Sequence, residues 1–197
     1  MRPVLRRSRK ARWWPLPASY EHEHRPVPGQ IHVYTGNGKG KTTAALGLAL
    51  RAAGQGRKVW VVQFMKGKTN YGELRSAKKI GIVIRQFGRP DFVDKKNPDP
   101  LDFRGAQQAL SFAHGLMKGK RCDLLVLDEL NVALDFKLVS LKQALTLIAE
   151  KPEGLELVIT GRYAPRALLR RADLVTEMKE VKHYYKKGIA ARQGIEY

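Results

Sequence analysis

The chain has 197 residues, 43% of them hydrophobic, which is enough for one folded domain with additional segments. Its formal net charge of +19 predicts attraction to polyanions such as nucleic acid, nucleotides or an anionic membrane, without choosing among them. No apolar run is long enough to span a bilayer, so no membrane association is expected, and the single cysteine, Cys122, excludes an internal disulfide. These features predict a cytoplasmic protein in a reducing compartment.

Residues 1–29 are predicted to be a basic, proline-rich tail that precedes a folded domain at residues 30–197. The tail carries a net charge of +5, and its prolines oppose regular helix. It lacks the apolar core of a secretory signal.

The central motif of the chain is Thr35-Gly-Asn-Gly-Lys-Gly-Lys-Thr-Thr43, which follows a short apolar strand at 31–34. A glycine-rich loop that opens a helix points backbone N–H groups at an anion, and it predicts a phosphate-binding loop. Lys41 would reach phosphate oxygens, and the Thr42 hydroxyl would bind Mg²⁺. The loop is one residue shorter than the general motif, because its first glycine is Gly36 and position 35 is a threonine. The alternative is a glycine-rich turn without a ligand.

The next elements alternate between helix and strand. A helix is predicted at 41–53, a strand at 59–64 that is apolar on both faces, and then a polar loop at 65–73. This loop lies at the carboxyl end of its strand, where α/β sheets bind ligands. A short helix and a third strand at 82–86 follow.

A long irregular loop at 87–100 is expected to be functional or mobile. The helix after it, at 102–118, is expected to have Asp99 or Asp102 as its N-cap. Cys122 precedes a buried strand and is interpreted as a packing residue.

The second decisive motif is Asp123-Leu-Leu-Val-Leu-Asp-Glu129, an apolar strand that ends in two acids. In phosphate-loop proteins an acid at this place helps to hold Mg²⁺, and its neighbour polarises a reacting group. The alternative is that Asp128 only caps the following helix.

The remaining chain continues the alternation, and residues 180–197 are expected to lie over the domain as a polar, aromatic and basic segment. Arg162 follows a strand and would neutralise phosphate, unless it is a structural arginine. The predicted elements are a helix at 138–150, a strand at 155–160, a helix at 165–171 and a strand at 173–178. The order predicts an α/β, doubly wound, mostly parallel sheet of the P-loop NTPase (RecA-like) type.

These residues predict a site for Mg²⁺ and a nucleoside triphosphate, but they leave the reaction open. A hydrolase or motor, a kinase and a transferase that uses another atom of the nucleotide all remain possible.

Six motifs, in this order, resemble the P-loop class of cob(I)alamin or cob(I)yrinic acid a,c-diamide adenosyltransferases. They are Thr35–Thr43, Val62-Gln-Phe-Met-Lys-Gly67, Gly72-Glu73, Val126-Leu-Asp-Glu-Leu130, Ile159-Thr-Gly-Arg162, and Val181-Lys-His183 with Gly194-Ile-Glu-Tyr197. The resemblance covers residues 30–197, and the short phosphate loop is itself a trait of this family.

The resemblance implies a reaction in which the 5′-deoxyadenosyl group of ATP moves to the cobalt of a reduced corrinoid and triphosphate leaves. ATP lies in the family's loop in the reversed direction, with Mg²⁺ (or Mn²⁺) as the metal. Carried over by motif, the catalytic residues are Lys41, Thr42 and Glu129, and the metal residues are Thr42, Glu129 and Asp128. The nucleotide-binding residues are Gly36, Asn37, Gly38, Lys39, Gly40, Lys41, Thr42, Thr43, Arg51 and Arg162.

The family also removes the lower axial ligand of cob(II) with aromatic side chains, for which Phe87 and Phe92 are the candidates; the alternative is that they pack on the core. The resemblance further implies cobalamin or cobyrinate diamide as substrate, a homodimer and a reduced flavoprotein as electron donor. The alternative function, suggested by the charge of +19 and the basic tail, is a nucleic-acid-stimulated P-loop ATPase.

Overall fold

The computed structural model describes residues 28–67 and 70–197, and these form a six-stranded sheet with helices on both faces. All five strand pairings are parallel, and the strand order is β3-β2-β4-β5-β1-β6. The strands are β1 (Ile31–Thr35), β2 (Val59–Phe64), β3 (Val83–Phe87), β4 (Leu124–Asp128), β5 (Glu156–Thr160) and β6 (Leu174–Glu177). The helices are α1 (Lys41–Gly54), α2 (Gly72–Lys79), α3 (Pro100–Lys118), α4 (Leu130–Asp135), α5 (Leu141–Ala149) and α6 (Arg166–Leu169), with a 3-10 helix at Tyr184–Lys187. The predicted doubly wound parallel sheet is confirmed.

The core consists of two layers, one on each face of the sheet. Helices α1 and α2 cover one face with small residues, including Ala45, Ala49 and Ala77. Helices α3 to α6 cover the other face, where the larger cluster includes Leu125 and Leu127 of β4. Because β4 is buried on both faces, its sequence is continuously apolar until Asp128.

Some element boundaries differ from the sequence prediction. The third strand ends at Phe87 instead of residue 86, and α4 was not predicted. The helix expected at 138–150 begins only after Ser140, whose hydroxyl accepts a hydrogen bond from the backbone N–H of Gln143 in a capping box. Leu138 and Val139, which precede this cap, are buried and do not belong to the helix.

The capping of α3 uses both predicted candidates. Asp99 is the N-cap, its backbone N–H donates a hydrogen bond to the Asp102 carboxylate, and Pro100 occupies the first turn. Asp102 is buried and also accepts a hydrogen bond from Arg89 at 3.0 Å. The capping box therefore ties the irregular loop after β3 to the start of α3.

Most of the predicted tail, residues 1–27, lies outside the described residues. Gly29, assigned to that tail, already contacts the domain: its N–H donates to the Glu153 carbonyl at 2.7 Å, and its carbonyl accepts from Lys151 at 2.6 Å. Across residues 28–67 and 70–197, no helix combines the length and the apolar character that a membrane crossing needs.

Candidate active site

The phosphate loop connects β1 to α1 and is braced by the end of β6. Gly36 and Gly40 have φ values of +94° and +117°, which L side chains rarely adopt. The backbone N–H of Gly38 donates to the Met178 carbonyl at 2.7 Å. A Cβ atom on Gly36 would lie 2.4 Å from the same oxygen, so the close approach requires glycine.

Lys41 turns its ammonium group into this loop. Its Nζ donates to the carbonyl oxygens of Gly36 at 2.9 Å and Gly38 at 2.7 Å, and the residue is only 7% exposed. Burial is the main cause that lowers the pKa of Lys41, and repulsion from Arg162 lowers it further. A bound polyphosphate would bring compensating negative charge next to the buried Lys41 ammonium group.

Asp128, the last residue of β4, is the centre of a buried polar network. Its carboxylate accepts hydrogen bonds from Thr42 at 2.8 Å, Thr160 at 2.7 Å, Lys66 at 2.8 Å and Gln63 at 3.1 Å. Burial opposes ionisation, but the Lys66 ammonium and the hydrogen bonds outweigh it and lower the pKa of Asp128. The network links the phosphate-loop helix to three neighbouring strands.

The network continues across the sheet through two glutamines. Gln63 is fully buried in β2, and its side-chain oxygen accepts a hydrogen bond from Gln86 of β3 at 3.0 Å. A polar residue in an otherwise apolar buried strand needs such partners, so the pair fixes the orientation of the amide that reaches Asp128.

Glu129 follows Asp128 with a backbone φ of +66°, a strained conformation for a glutamate. Its N–H donates to the Thr160 hydroxyl at 3.0 Å, which holds this turn in place. Burial and the neighbouring Asp128 raise the pKa of Glu129. A bound cation would compensate for the burial of the Glu129 carboxylate and for its repulsion from Asp128.

The donor set fits a hard divalent cation. The Thr42 hydroxyl and the Glu129 carboxylate supply oxygen atoms, which Mg²⁺ prefers, and the buried Asp128 carboxylate supports them through its hydrogen bond with Thr42. Among the described residues no group of three His, Cys, Asp or Glu side chains is arranged to hold a metal. At phosphate sites Mg²⁺ is usually held by only one or two carboxylates together with oxygen atoms of the substrate and water.

Two cavities meet at this site. The larger one, of about 740 Å³, is here called the nucleotide cavity and is bounded by the phosphate loop, the start of α1, the start of α2 and the end of the 180–197 segment. The smaller one, of about 260 Å³, is called the apolar cavity and is lined by residues such as Phe64, Phe92 and Phe136. Both cavities share Lys66, Tyr71 and Glu129 as lining residues, so these side chains form the boundary between them.

The structure brings most of the predicted site residues to the nucleotide cavity. Those that line it are Gly38, Lys39, Gly40, Lys41, Thr42, Thr43, Glu129 and Arg162. Asp128 lies directly behind them, fully buried. Asn37 lines a neighbouring cavity together with Arg162, and Gly36 contributes its carbonyl to Lys41.

Two predicted residues lie elsewhere. Arg51 is exposed in the last turn of α1 and does not line the cavity, because ten residues of helix separate it from Lys41 by about 15 Å. Phe87 packs on Phe112 with ring centroids 5.3 Å apart and joins the core, as the alternative for this residue foresaw. Phe92 is 92% exposed and lines the apolar cavity.

Sequence reasoning assigned no role to several residues that the structure places here. Lys66 and Gln63 contact Asp128, and His183 and the Gly194–Tyr197 turn line the nucleotide cavity. Their sequence signal was present, since all of them fall in the motifs that carry the family resemblance, and Gln63 interrupts an apolar strand.

Comparison with known proteins identifies the family. The model of the family described as ATP:corrinoid adenosyltransferase BtuR/CobO/CobP matches residues 28–197. The corrinoid adenosyltransferase of Escherichia coli K12 is 36% identical over 79% of this chain and 79% of its own length. The Pseudomonas aeruginosa protein of that name is 38% identical over 79% and 77%. The corrinoid adenosyltransferase CobA of Salmonella typhimurium is 34% identical over 79% of both chains.

Among solved structures, a KaiC-like protein from Pyrococcus horikoshii OT3 matches with a TM-score of 0.50 and 18% identity, covering 77% of this chain and 73% of that one. This likeness supports the RecA-like P-loop fold and nothing finer. The family match and the curated relatives cover nearly all of the described residues. The chain therefore belongs to the ATP:corrinoid adenosyltransferase family BtuR/CobO/CobP.

Proposed function

We propose that this protein transfers the 5′-deoxyadenosyl group of ATP to the cobalt of a reduced corrinoid, cob(I)alamin or cob(I)yrinic acid a,c-diamide. The observation that carries the proposal is the pair of adjoining cavities. One has a phosphate loop, the other is lined largely by apolar side chains, and both share Lys66, Tyr71 and Glu129. A nucleotide in the first cavity would meet an apolar part of a second substrate at that boundary.

The reaction is a displacement at carbon. The electron pair on cob(I) forms a bond to the ribose 5′-carbon, the bond from that carbon to the triphosphate oxygen breaks, and its electron pair leaves with triphosphate. Negative charge therefore grows on the leaving group. Lys41 and Arg162, which both line the nucleotide cavity, would stabilise this charge together with loop N–H groups.

Mg²⁺ or Mn²⁺ is the proposed metal, held by Thr42 and Glu129 with Asp128 in support. When bound, such an ion neutralises phosphate charge and orients the chain of phosphates. The residues themselves prepare the site, because Asp128 stays ionised through Lys66 and fixes the Thr42 hydroxyl at 2.8 Å. Removing Glu129 is expected to weaken metal-dependent nucleotide binding.

For the corrinoid, we propose that Phe92 acts in removing the lower axial ligand of cob(II), because it is exposed and lines the apolar cavity. The packing of Phe87 against Phe112 favours a structural role for that residue. A reduced flavoprotein as electron donor, a homodimeric assembly and a cytoplasmic location are proposed from the family resemblance, and the single cysteine agrees with a reducing compartment.

The test is an anaerobic mixture of the protein, Mg-ATP and chemically reduced cobalamin, followed by absorbance. Loss of the cob(I) band together with a light-sensitive product supports adenosylation. An unchanged cob(I) band, with ATP hydrolysis that rises on addition of DNA or RNA, would instead support the nucleic-acid-stimulated ATPase. The family match does not favour that alternative.

A further inference from the structure

Lys39 belongs to the phosphate loop, but its ammonium group contacts the 180–197 segment. Its Nζ donates to the Glu196 carboxylate at 2.7 Å, to the Tyr184 hydroxyl at 2.9 Å and to the Ile195 carbonyl at 3.4 Å. The family resemblance implies that this side chain helps to hold the phosphates and the nucleotide. Its contacts instead fasten another part of the chain to the loop.

Glu196 is held from several further directions. The Tyr184 hydroxyl and the backbone N–H of Arg192 donate to its carboxylate, the latter at 2.7 Å. The Arg192 guanidinium stacks over the Tyr184 ring, 4.8 Å from its centroid. The hydrogen bonds from Lys39 and Tyr184 hold the pKa of Glu196 well below its usual range. Glu196 therefore anchors the segment as a carboxylate.

This anchoring shapes a turn, Gly194–Tyr197, that lines the nucleotide cavity. Gly194 has a φ of +77°, and its N–H donates to the Tyr197 carbonyl at 2.7 Å, which closes the turn. Ile195 is 59% exposed, and it lines the cavity with Tyr197. Apolar and aromatic surface suits a base or a ribose better than a triphosphate.

The phosphate loop provides the charged and polar surface that a triphosphate requires. Lys41, Arg162 and the loop glycines present positive charge and N–H groups to the same cavity. The nucleoside must then occupy what remains of the cavity, which the turn bounds together with α1 and the start of α2. Charge and surface chemistry thus divide the cavity into a phosphate part and a nucleoside part.

We propose that the Gly194–Tyr197 turn is a wall of the nucleoside subsite, and that Lys39 is a positioning residue that holds this wall through Glu196. The inference rests on the proposed function, because it assumes that ATP occupies the nucleotide cavity. Lys39 would then contribute to recognition of the nucleoside and would not be a ligand of the phosphates.

The experiment compares dissociation constants for Mg-ATP and for inorganic triphosphate with Mg²⁺, measured by titration calorimetry. The variants are Lys39→Met, Glu196→Gln and the double variant, with Lys187→Met as the control that removes one exposed charge from the same segment. Lys39→Met and Glu196→Gln are each expected to weaken ATP binding about fivefold or more, as loss of a partly exposed charged contact allows. Triphosphate binding should stay within about twofold of the wild type, and the control should resemble the wild type for both ligands.

The double variant decides how Lys39 acts. If it works through Glu196, the double variant binds ATP about as well as either single variant, because both remove the same contact. Equal weakening of ATP and triphosphate by Lys39→Met would make Lys39 a phosphate ligand and overturn the proposal.

Ile195→Ala gives a second test, since it trims an exposed side chain but keeps a Cβ atom and therefore does not loosen the backbone whose carbonyl contacts Lys39. A selective loss of ATP affinity supports the nucleoside wall, and unchanged ATP affinity contradicts it. If the wild-type protein bound neither ATP nor triphosphate, the proposed nucleotide site itself would be contradicted. This result differs from normal ATP binding by the turn variants, which would contradict only the proposed role of the turn.

Discussion

Replacing Asp128 with asparagine tests the buried polar network most severely. The change keeps the side-chain shape but removes the charge that faces the Lys66 ammonium at 2.8 Å, and it puts an amide N–H₂ among four donors. At that distance, and at an effective dielectric constant of about 20, the attraction is about 6 kcal/mol, much of which offsets the cost of burial. Removing one partner of a buried pair typically costs about 3–5 kcal/mol.

The Lys66 side chain is 20% exposed, so water can partly solvate it after the change. We therefore expect Asp128→Asn to lower the free energy of unfolding by about 3 kcal/mol, the lower end of this range. For a chain of this size that corresponds to a decrease in melting temperature of about 6–12 °C. The assay is denaturant unfolding followed by circular dichroism. The matched control is Asp135→Asn, which breaks an ion pair with Lys95 of similar length, 2.7 Å, at the surface and should cost less than about 1 kcal/mol. Equal, small losses for both variants would refute the view that Asp128 is the centre of the network.

Further predictions concern other parts of the site and the core. Burial raises the pKa of Cys122 to about 11, so at pH 8 almost no thiolate exists in the folded protein. Iodoacetamide should therefore label Cys122 in the native protein at least about tenfold more slowly than in the unfolded protein. Equal labelling rates would show that the thiol is accessible in the native state. Lys41→Ala should reduce adenosylation by at least about a hundredfold, because it removes a cation from the leaving triphosphate; near-normal turnover in the anaerobic assay would remove Lys41 from the mechanism. Phe92→Ala should leave the free energy of unfolding within about 0.5 kcal/mol of the wild type, because the ring is 92% exposed, and should impair the reaction mainly from cob(II). Phe87→Ala should instead destabilise the protein by about 2–3 kcal/mol through lost packing on Phe112, and the opposite ranking of the two phenylalanine variants in unfolding experiments would contradict their assigned places.

The sequence predicted the parts of the site that local patterns encode. A strand, a glycine-rich loop and a helix identify the phosphate site around Lys41, and an apolar strand ending in two acids identifies Asp128 and Glu129. Because parallel strands present their carboxyl ends at one edge, these two motifs were expected to meet, and the hydrogen bond from Thr42 to Asp128 at 2.8 Å agrees with this expectation.

The sequence could not predict which residues pair across the sheet. The contact between Lys66 and Asp128 depends on β2 lying beside β4, and the chain from Gln86 through Gln63 depends on β3 lying beside β2. Helix α4 has only six residues, which is too short to show a helical period. The contact of Lys39 with Glu196 joins residues 157 positions apart and has no local signal.

The most direct test of the central claim is the fate of the phosphates. Phosphorus NMR of a completed anaerobic reaction with cob(I)alamin distinguishes cleavage at the 5′-carbon from cleavage between phosphates. The account predicts one intact triphosphate for each adenosyl–cobalt bond formed, with no ADP. ADP and phosphate in place of triphosphate, without an adenosyl–cobalt product, would contradict it.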